Sequence, residues 1–148
     1  MKKLIIAIVA TVAIGTTAFA ADVNSEVSKT IMTKFKSQFV DVTDVSWKIE
    51  GQYSKASFLT NGERMEAYYD NTATLFATCK AVNIEKLPVQ AQKKIEKNFA
   101  GYTLKECIEV DIAEESSSYY ASYSNDAYNV ILKIEQSGAV SVYKKEKK

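Results

Sequence analysis

Asn61-Gly62 sits between two runs that alternate apolar and polar side chains, the strongest short-range signal for a β-hairpin. A type I′ turn needs positive φ at both central residues, which Asn and Gly tolerate. Before the turn, residues 53–59 put Ala56 and Phe58 on one face and Lys55 and Ser57 on the other. After it, residues 63–69 put Met65, Ala67 and Tyr69 on one face and Arg64, Glu66 and Tyr68 on the other. Val45, Trp47 and Ile49 alternate with Ser46, Lys48 and Glu50 ahead of a break at Gly51-Gln52, and a fourth run, 74–80, follows Asp70-Asn71. Loops this short join antiparallel neighbours. Residues 45–79 therefore read as a four-stranded meander.

A sheet with one apolar face needs a cover. Val27, Ile31, Phe35 and Phe39 recur every four residues, the stripe of an amphipathic helix, with Ser25 or Asn24 as the expected cap. A second such stripe, Leu87, Ala91, Ile95 and Phe99, lies sixty residues further on. It follows a linker over 83–87, with Pro88 in the first turn of a helix over 89–99 and Gly101 beyond its end. Strands are expected at 104–112, 119–123, 128–134 and 140–143, with turns at Ser124-Asn125-Asp126 and Gln136-Ser137-Gly138. The charged tail 144–148 reads as solvated and frayed. The fold class is thus α+β: two tandem α-β-β-β-β repeats, about 25–82 and 87–143, forming an antiparallel sheet with both helices packed on one face.

Residues 1–20 read as a signal peptide. Lys2 and Lys3 precede an apolar run over 4–14, and Ala18-Phe19-Ala20 supplies small residues at a cleavage site. The run is shorter than the roughly 20 residues of a membrane span. The expected product, 21–148, is a single periplasmic or secreted domain with no membrane attachment. Of 19 basic and 18 acidic residues, two lysines lie in 1–20, which leaves 17 against 18. A nucleic-acid footprint needs a clear basic excess, so no nucleic-acid partner is expected.

With these elements in place, the chain resembles the exported PepSY-like proteins of Bacteroidetes-type bacteria, also described as β-lactamase-inhibitor-protein-like, or BLIP-like. The resemblance is carried by Trp47-Lys48, by Tyr53-Ser54-Lys55-Ala56-Ser57-Phe58, by the Asn61-Gly62-Glu63 turn and by Glu66-Ala67-Tyr68-Tyr69-Asp70. It implies an α+β fold with helices on one face of an antiparallel sheet. It also implies a non-catalytic periplasmic protein, a binder or inhibitor of other proteins. It brings no catalytic residues.

The residues themselves narrow the chemistry. The chain has no histidine, which removes Ser-His-Asp and Cys-His catalysis and histidine metal sites. Glu63 and Glu66 lie three apart on one strand and point to opposite faces, so they do not converge as an acid/base pair. Glu109, Asp111, Glu114 and Glu115 form an acidic cluster whose spacing matches no EF-hand loop and reads as a solvated strand end. No cofactor and no metal ligands are expected, and the chain does not read as an enzyme. Cys79 and Cys107 leave two readings open. A disulfide across 28 residues would contribute about 3 kcal/mol on the chain-entropy view. Alternatively, Cys79, on a face with Leu75, Ala77 and Ala81, is a buried thiol, and Cys107 sits among acidic residues.

The nine tyrosines fall in or beside strands. In Tyr68-Tyr69 and Tyr119-Tyr120, one ring must face the helix and its neighbour the other side. Tyr53, Arg64 and Tyr68 share the face away from the helix. Tyr and Arg are enriched at binding hot spots, so these three are the expected site for an exported or periplasmic protein or peptide partner. The competing expectation is a small-ligand or metal-binding module using the sheet edge or the acidic cluster.

Overall fold

The structure, a computed structural model, describes residues 27–148. The expected signal peptide and the candidate caps Asn24 and Ser25 lie outside the described residues. Among the described residues two α-helices and eight β-strands give an α+β fold. The chain divides into two compact units: one runs to Lys80 and also takes Asp111–Glu115, and the other comprises Ala81–Val110 and Ser116–Lys148.

The first unit holds helix α1 (Lys29–Gln38) and strands β1 (Val42–Glu50), β2 (Tyr53–Thr60), β3 (Glu63–Asp70) and β4 (Leu75–Ala81). Ser28 caps α1: its hydroxyl accepts from the Ile31 amide at 3.2 Å, which satisfies one of the free donors of the first turn. Asn61 and Gly62 take φ of 51° and 78°, as a type I′ turn requires. The turn closes on Thr60 paired with Glu63 and so sets the register Ser57 to Glu66 and Lys55 to Tyr68. The helix covers one face of this meander. Ile31 and Phe35 pack with Ala56, Phe58, Ala67 and Tyr69, and Val27, just ahead of the helix, is buried with them. The Tyr69 hydroxyl donates to Gln38 Oε1 at 2.7 Å and ties β3 to the helix end.

Two details depart from the alternation in the sequence. β1 begins at Val42, three residues early, and carries a bulge between Thr43 and Ser46 where Asp44 takes φ of 51°. In β4 a register shift pairs Tyr68 with Ala77 but Tyr69 with Leu75. A bulge inserts one residue and reverses the alternation beyond it. Leu75 therefore packs on the helix-covered core, whereas Cys79 lies opposite Glu66 on the other face.

The second unit opens with a 3₁₀ turn (Ile84–Lys86) where the sequence reads as a linker, its Asn83 side chain accepting from the Glu85 amide at 3.3 Å. Helix α2 (Val89–Asn98) and strands β5 (Thr103–Ile112), β6 (Ser118–Ser124), β7 (Tyr128–Glu135) and β8 (Val140–Lys147) follow. Leu87, Ala91 and Ile95 are buried with Cys107, Tyr119, Ala121, Tyr123, Val130, Leu132 and Ile134. The tail expected to fray is instead the far half of β8. Lys145 and Lys147 pair with Val130 and Tyr128, and the Lys145 ammonium stands 4.1 Å from the centre of the Tyr128 ring. Long lysine stems cover apolar surface while their charges stay in water, so a charged run is no bar to a strand.

Candidate functional site

The hairpin register brings Lys55, Ser57, Arg64, Glu66 and Tyr68 to the face of the first unit that points away from α1. Tyr53 joins them, its ring centroid 5.8 Å from that of Tyr68. The three residues expected to form a binding face are thus together on it. Their exposure differs from expectation. Tyr53 is 6 % and Tyr68 1 % exposed, while the Arg64 side chain is 49 % exposed. The rings bury one another: Phe76, the residue released by the β4 register shift, lies 6.2 Å from both Tyr53 and Tyr68.

At the centre lies Glu66, a buried carboxylate that points away from Glu63 and forms no acid/base pair with it. Its Oε2 accepts from the Tyr68 hydroxyl at 2.6 Å. Its Oε1 accepts from Arg64 Nη2 at 3.1 Å and from Ser57 Oγ at 3.4 Å, with Lys55 Nζ at 3.5 Å. Burial alone would raise the carboxyl pKa, but the Tyr68 hydrogen bond and the Lys55 and Arg64 charges outweigh it and hold Glu66 below the usual carboxylate range. A second, smaller node lies on the β1 side, where the Tyr53 hydroxyl donates to Glu50 Oε2 and Lys48 Nζ sits 2.8 Å from Glu50 Oε1. Burial, then the Glu50 hydrogen bond, pushes the Tyr53 phenol well up, so the hydroxyl stays a donor. The role of Glu66 was within reach of the sequence, because a two-residue Asn-Gly turn fixes which residues face each other.

This network positions charge; it activates no nucleophile. Tyr68 is committed to Glu66, and Cys79 beneath them is driven towards its neutral thiol, first by burial and then by the Glu66 charge. Cys107 lies in the α2 core, where burial first and then Glu106 and Glu109 raise its pKa to about 12. Both are buried free thiols, so the disulfide reading is not the one this structure holds. Among the described residues no group of three or more Cys, Asp or Glu side chains is placed to hold a metal ion. Glu109 and Asp111 lie on β5, and Glu114 and Glu115 lie in the turn beyond it.

The sequence matches no protein-family profile and no curated protein. Solved structures do match it. A DUF2874 family protein from Bacteroides uniformis superposes with a TM-score of 0.73 at 13 % identity, over 82 % of this chain and 90 % of that one. A BLIP-like protein from Bacteroides fragilis gives 0.70 at 17 %, over 84 % and 89 %. A protein of proposed periplasmic location from Bacteroides eggerthii gives 0.74 at 11 %, over 83 % and 90 %. At such identities the likeness is one of fold, and the chain has the α+β fold of these BLIP-like and DUF2874 family proteins.

Proposed function

We propose that this is an exported, non-catalytic protein that binds another protein or peptide through the face of its first unit away from α1. The observation that carries the reading is the state of Arg64. Its side chain is half exposed, yet its guanidinium is anchored on a buried carboxylate at 3.1 Å. An arginine held this way has lost its conformational freedom before a partner arrives, which lowers the entropic cost of binding. The packed Tyr53, Tyr68 and Phe76 rings give it a rigid floor. Export rests on the pattern in residues 1–20, and the Bacteroides eggerthii neighbour agrees with it. No helix among the described residues is long and apolar enough to cross a membrane. Likeness to a BLIP-like protein supports a binding role, although a shared fold does not carry function by itself.

The test is affinity capture from periplasmic extract with the wild-type protein, Arg64→Ala, and Lys36→Ala, an exposed substitution on α1. A partner retained by wild type and Lys36→Ala and lost by Arg64→Ala is the expected result. The same proteins on all three baits would remove the basis of the reading.

A further inference from the structure

An asparagine side chain is lost when the backbone nitrogen of the next residue attacks its amide carbon, so the reaction needs both groups free. Residues 27–148 hold six asparagines. At five of them hydrogen bonding restrains one partner or the other. The Thr72 amide after Asn71 donates to Asp70 Oδ1 at 2.9 Å, and the Phe99 amide after Asn98 donates to the Ile95 carbonyl at 2.8 Å. The side chains of Asn83 and Asn125 accept from the amides of Glu85 and Tyr128 at 3.3 and 2.8 Å. Asn129 precedes Val130, which pairs with Tyr123 on one side and Lys145 on the other. Asn61 differs. It and Gly62 are exposed at the hairpin tip, and the ladder closes behind them on Thr60 and Glu63. Among the described residues no hydrogen bond holds the Asn61 side chain or the Gly62 amide. Nothing lies within 4 Å of where a Gly62 Cβ would stand.

We infer that Asn61 is a site of spontaneous deamidation whose isoaspartyl product unmakes the hairpin tip. The Gly62 nitrogen attacks Asn61 Cγ, and the proton it loses leaves on ammonia as a succinimide closes. Water then opens the ring at either carbonyl, giving aspartate or isoaspartate; no oxidant or reductant takes part. The closed turn restrains the first step. At φ 51° Asn61 is left-handed, a conformation with ψ of about +47° that holds the next nitrogen away from the side chain. Ring closure therefore waits on opening of the tip, an exposed turn of the kind that opens most readily. The product does not close again. Isoaspartate routes the main chain through Cβ and lengthens it by one carbon, whereas a type I′ turn matches its strands only as a two-residue loop. The Thr60–Glu63 pair is lost, and Leu59–Arg64 is the next pair along. Aspartate keeps the turn, because Asp-Gly also adopts type I′. The site is independent of the binding role proposed above.

Peptide mapping by mass spectrometry follows the protein in mildly alkaline buffer, folded in one arm and unfolded in urea in the other. Asn61 is expected to be the first of the six asparagines converted to acid in the folded protein, appearing as separate aspartyl and isoaspartyl species. Conversion is expected to be faster in urea, where no turn has to open. Loss of Asn71 or Asn125 before Asn61 in the folded arm overturns the site. So does a folded protein whose Asn61 stays intact after the urea arm has converted. Equal rates in the two arms overturn the restraint by the turn. The isolated isoaspartyl form is expected to melt several degrees below wild type, and Asn61→Asp to melt with wild type. An isoaspartyl form that melts with wild type overturns the structural consequence. An equal loss in Asn61→Asp does so too, since charge and not chain length would then be the cause. None of these readouts uses a partner, so they stand or fall apart from the capture experiment on Arg64→Ala.

Discussion

Tyr68→Phe removes one hydroxyl from the centre of the first unit and leaves the ring in place. That hydroxyl is the shortest contact to Glu66, at 2.6 Å against 3.1 Å for Arg64 and 3.4 Å for Ser57. Hydrogen bonds to a charged group contribute about 1.5–3 kcal/mol, more than neutral ones, and the carboxylate left behind is buried and loses a donor. The expected loss is therefore about 2 kcal/mol at pH 7. In a Glu66→Gln background the same substitution removes only a neutral hydrogen bond, worth about 1 kcal/mol. Urea unfolding followed by Trp47 emission measures all four corners of this cycle, because Trp47 packs against Phe35 within the same unit.

Acid supplies an independent check on the same node. Glu66 is held below its ordinary value of 4.5 in the folded protein. A carboxyl with a depressed folded-state pKa contributes stability that is full above its unfolded value and is lost as pH falls through the folded one. The advantage of wild type over Glu66→Gln is thus constant above about pH 5 and shrinks below pH 4.5. A Tyr68→Phe cost under about 0.5 kcal/mol, within the range of a neutral surface change, would refute the reasoning. So would an equal cost in the Glu66→Gln background.

Phe35→Ala empties the α1 core where Phe35 meets Phe39, Trp47 and Phe58; a loss of about 3–5 kcal/mol is expected in urea unfolding, with Trp47 emission shifted to the red. Gly138→Ala adds a Cβ at φ +86°, 3.3 Å from Gln90 Cβ; it is expected to lower stability by about 1 kcal/mol or more, whereas Gly101→Ala, with nothing within 4 Å, is near neutral in the same thermal melt. Deleting residues 144–148 removes half of β8 and its pairing with β7 and is expected to lower the melting temperature, where a frayed tail would leave it unchanged. Cys79 and Cys107 are expected to react slowly with a thiol reagent in the folded protein, since burial raises both pKa values; denaturant without reductant then releases two thiols, and release of none would show them bridged.

The turns, the strand count and the helix stripes were legible because each rests on a local rule. Asn61-Gly62 permits positive φ, and Ile31 and Phe35 sit one helical turn apart. Ser28 is not legible as the cap because Val27 belongs to the buried stripe yet lies outside the helix, so the apolar pattern starts before the hydrogen bonds do. The β4 register shift was not legible, since nothing in Leu75-Phe76-Ala77 announces an inserted residue. Its consequence is large: Leu75 and Cys79 end on opposite faces.

Alternation assigned Tyr53, Arg64 and Tyr68 to one face, but alternation says which side a residue takes and nothing about whether that side is open. Whether it is open was decided by Phe76, which the same shift turned against Tyr53 and Tyr68. Once those rings are buried, Glu66 must be buried with them, and a buried carboxylate persists only where donors meet it. That requirement draws Arg64 inward at one end while its length leaves half of it in water. The feature on which the proposed recognition surface rests is therefore a consequence of one inserted residue in the neighbouring strand, and a variant that restores regular β4 pairing is expected to loosen Arg64 and, under that proposal, to weaken capture of a partner.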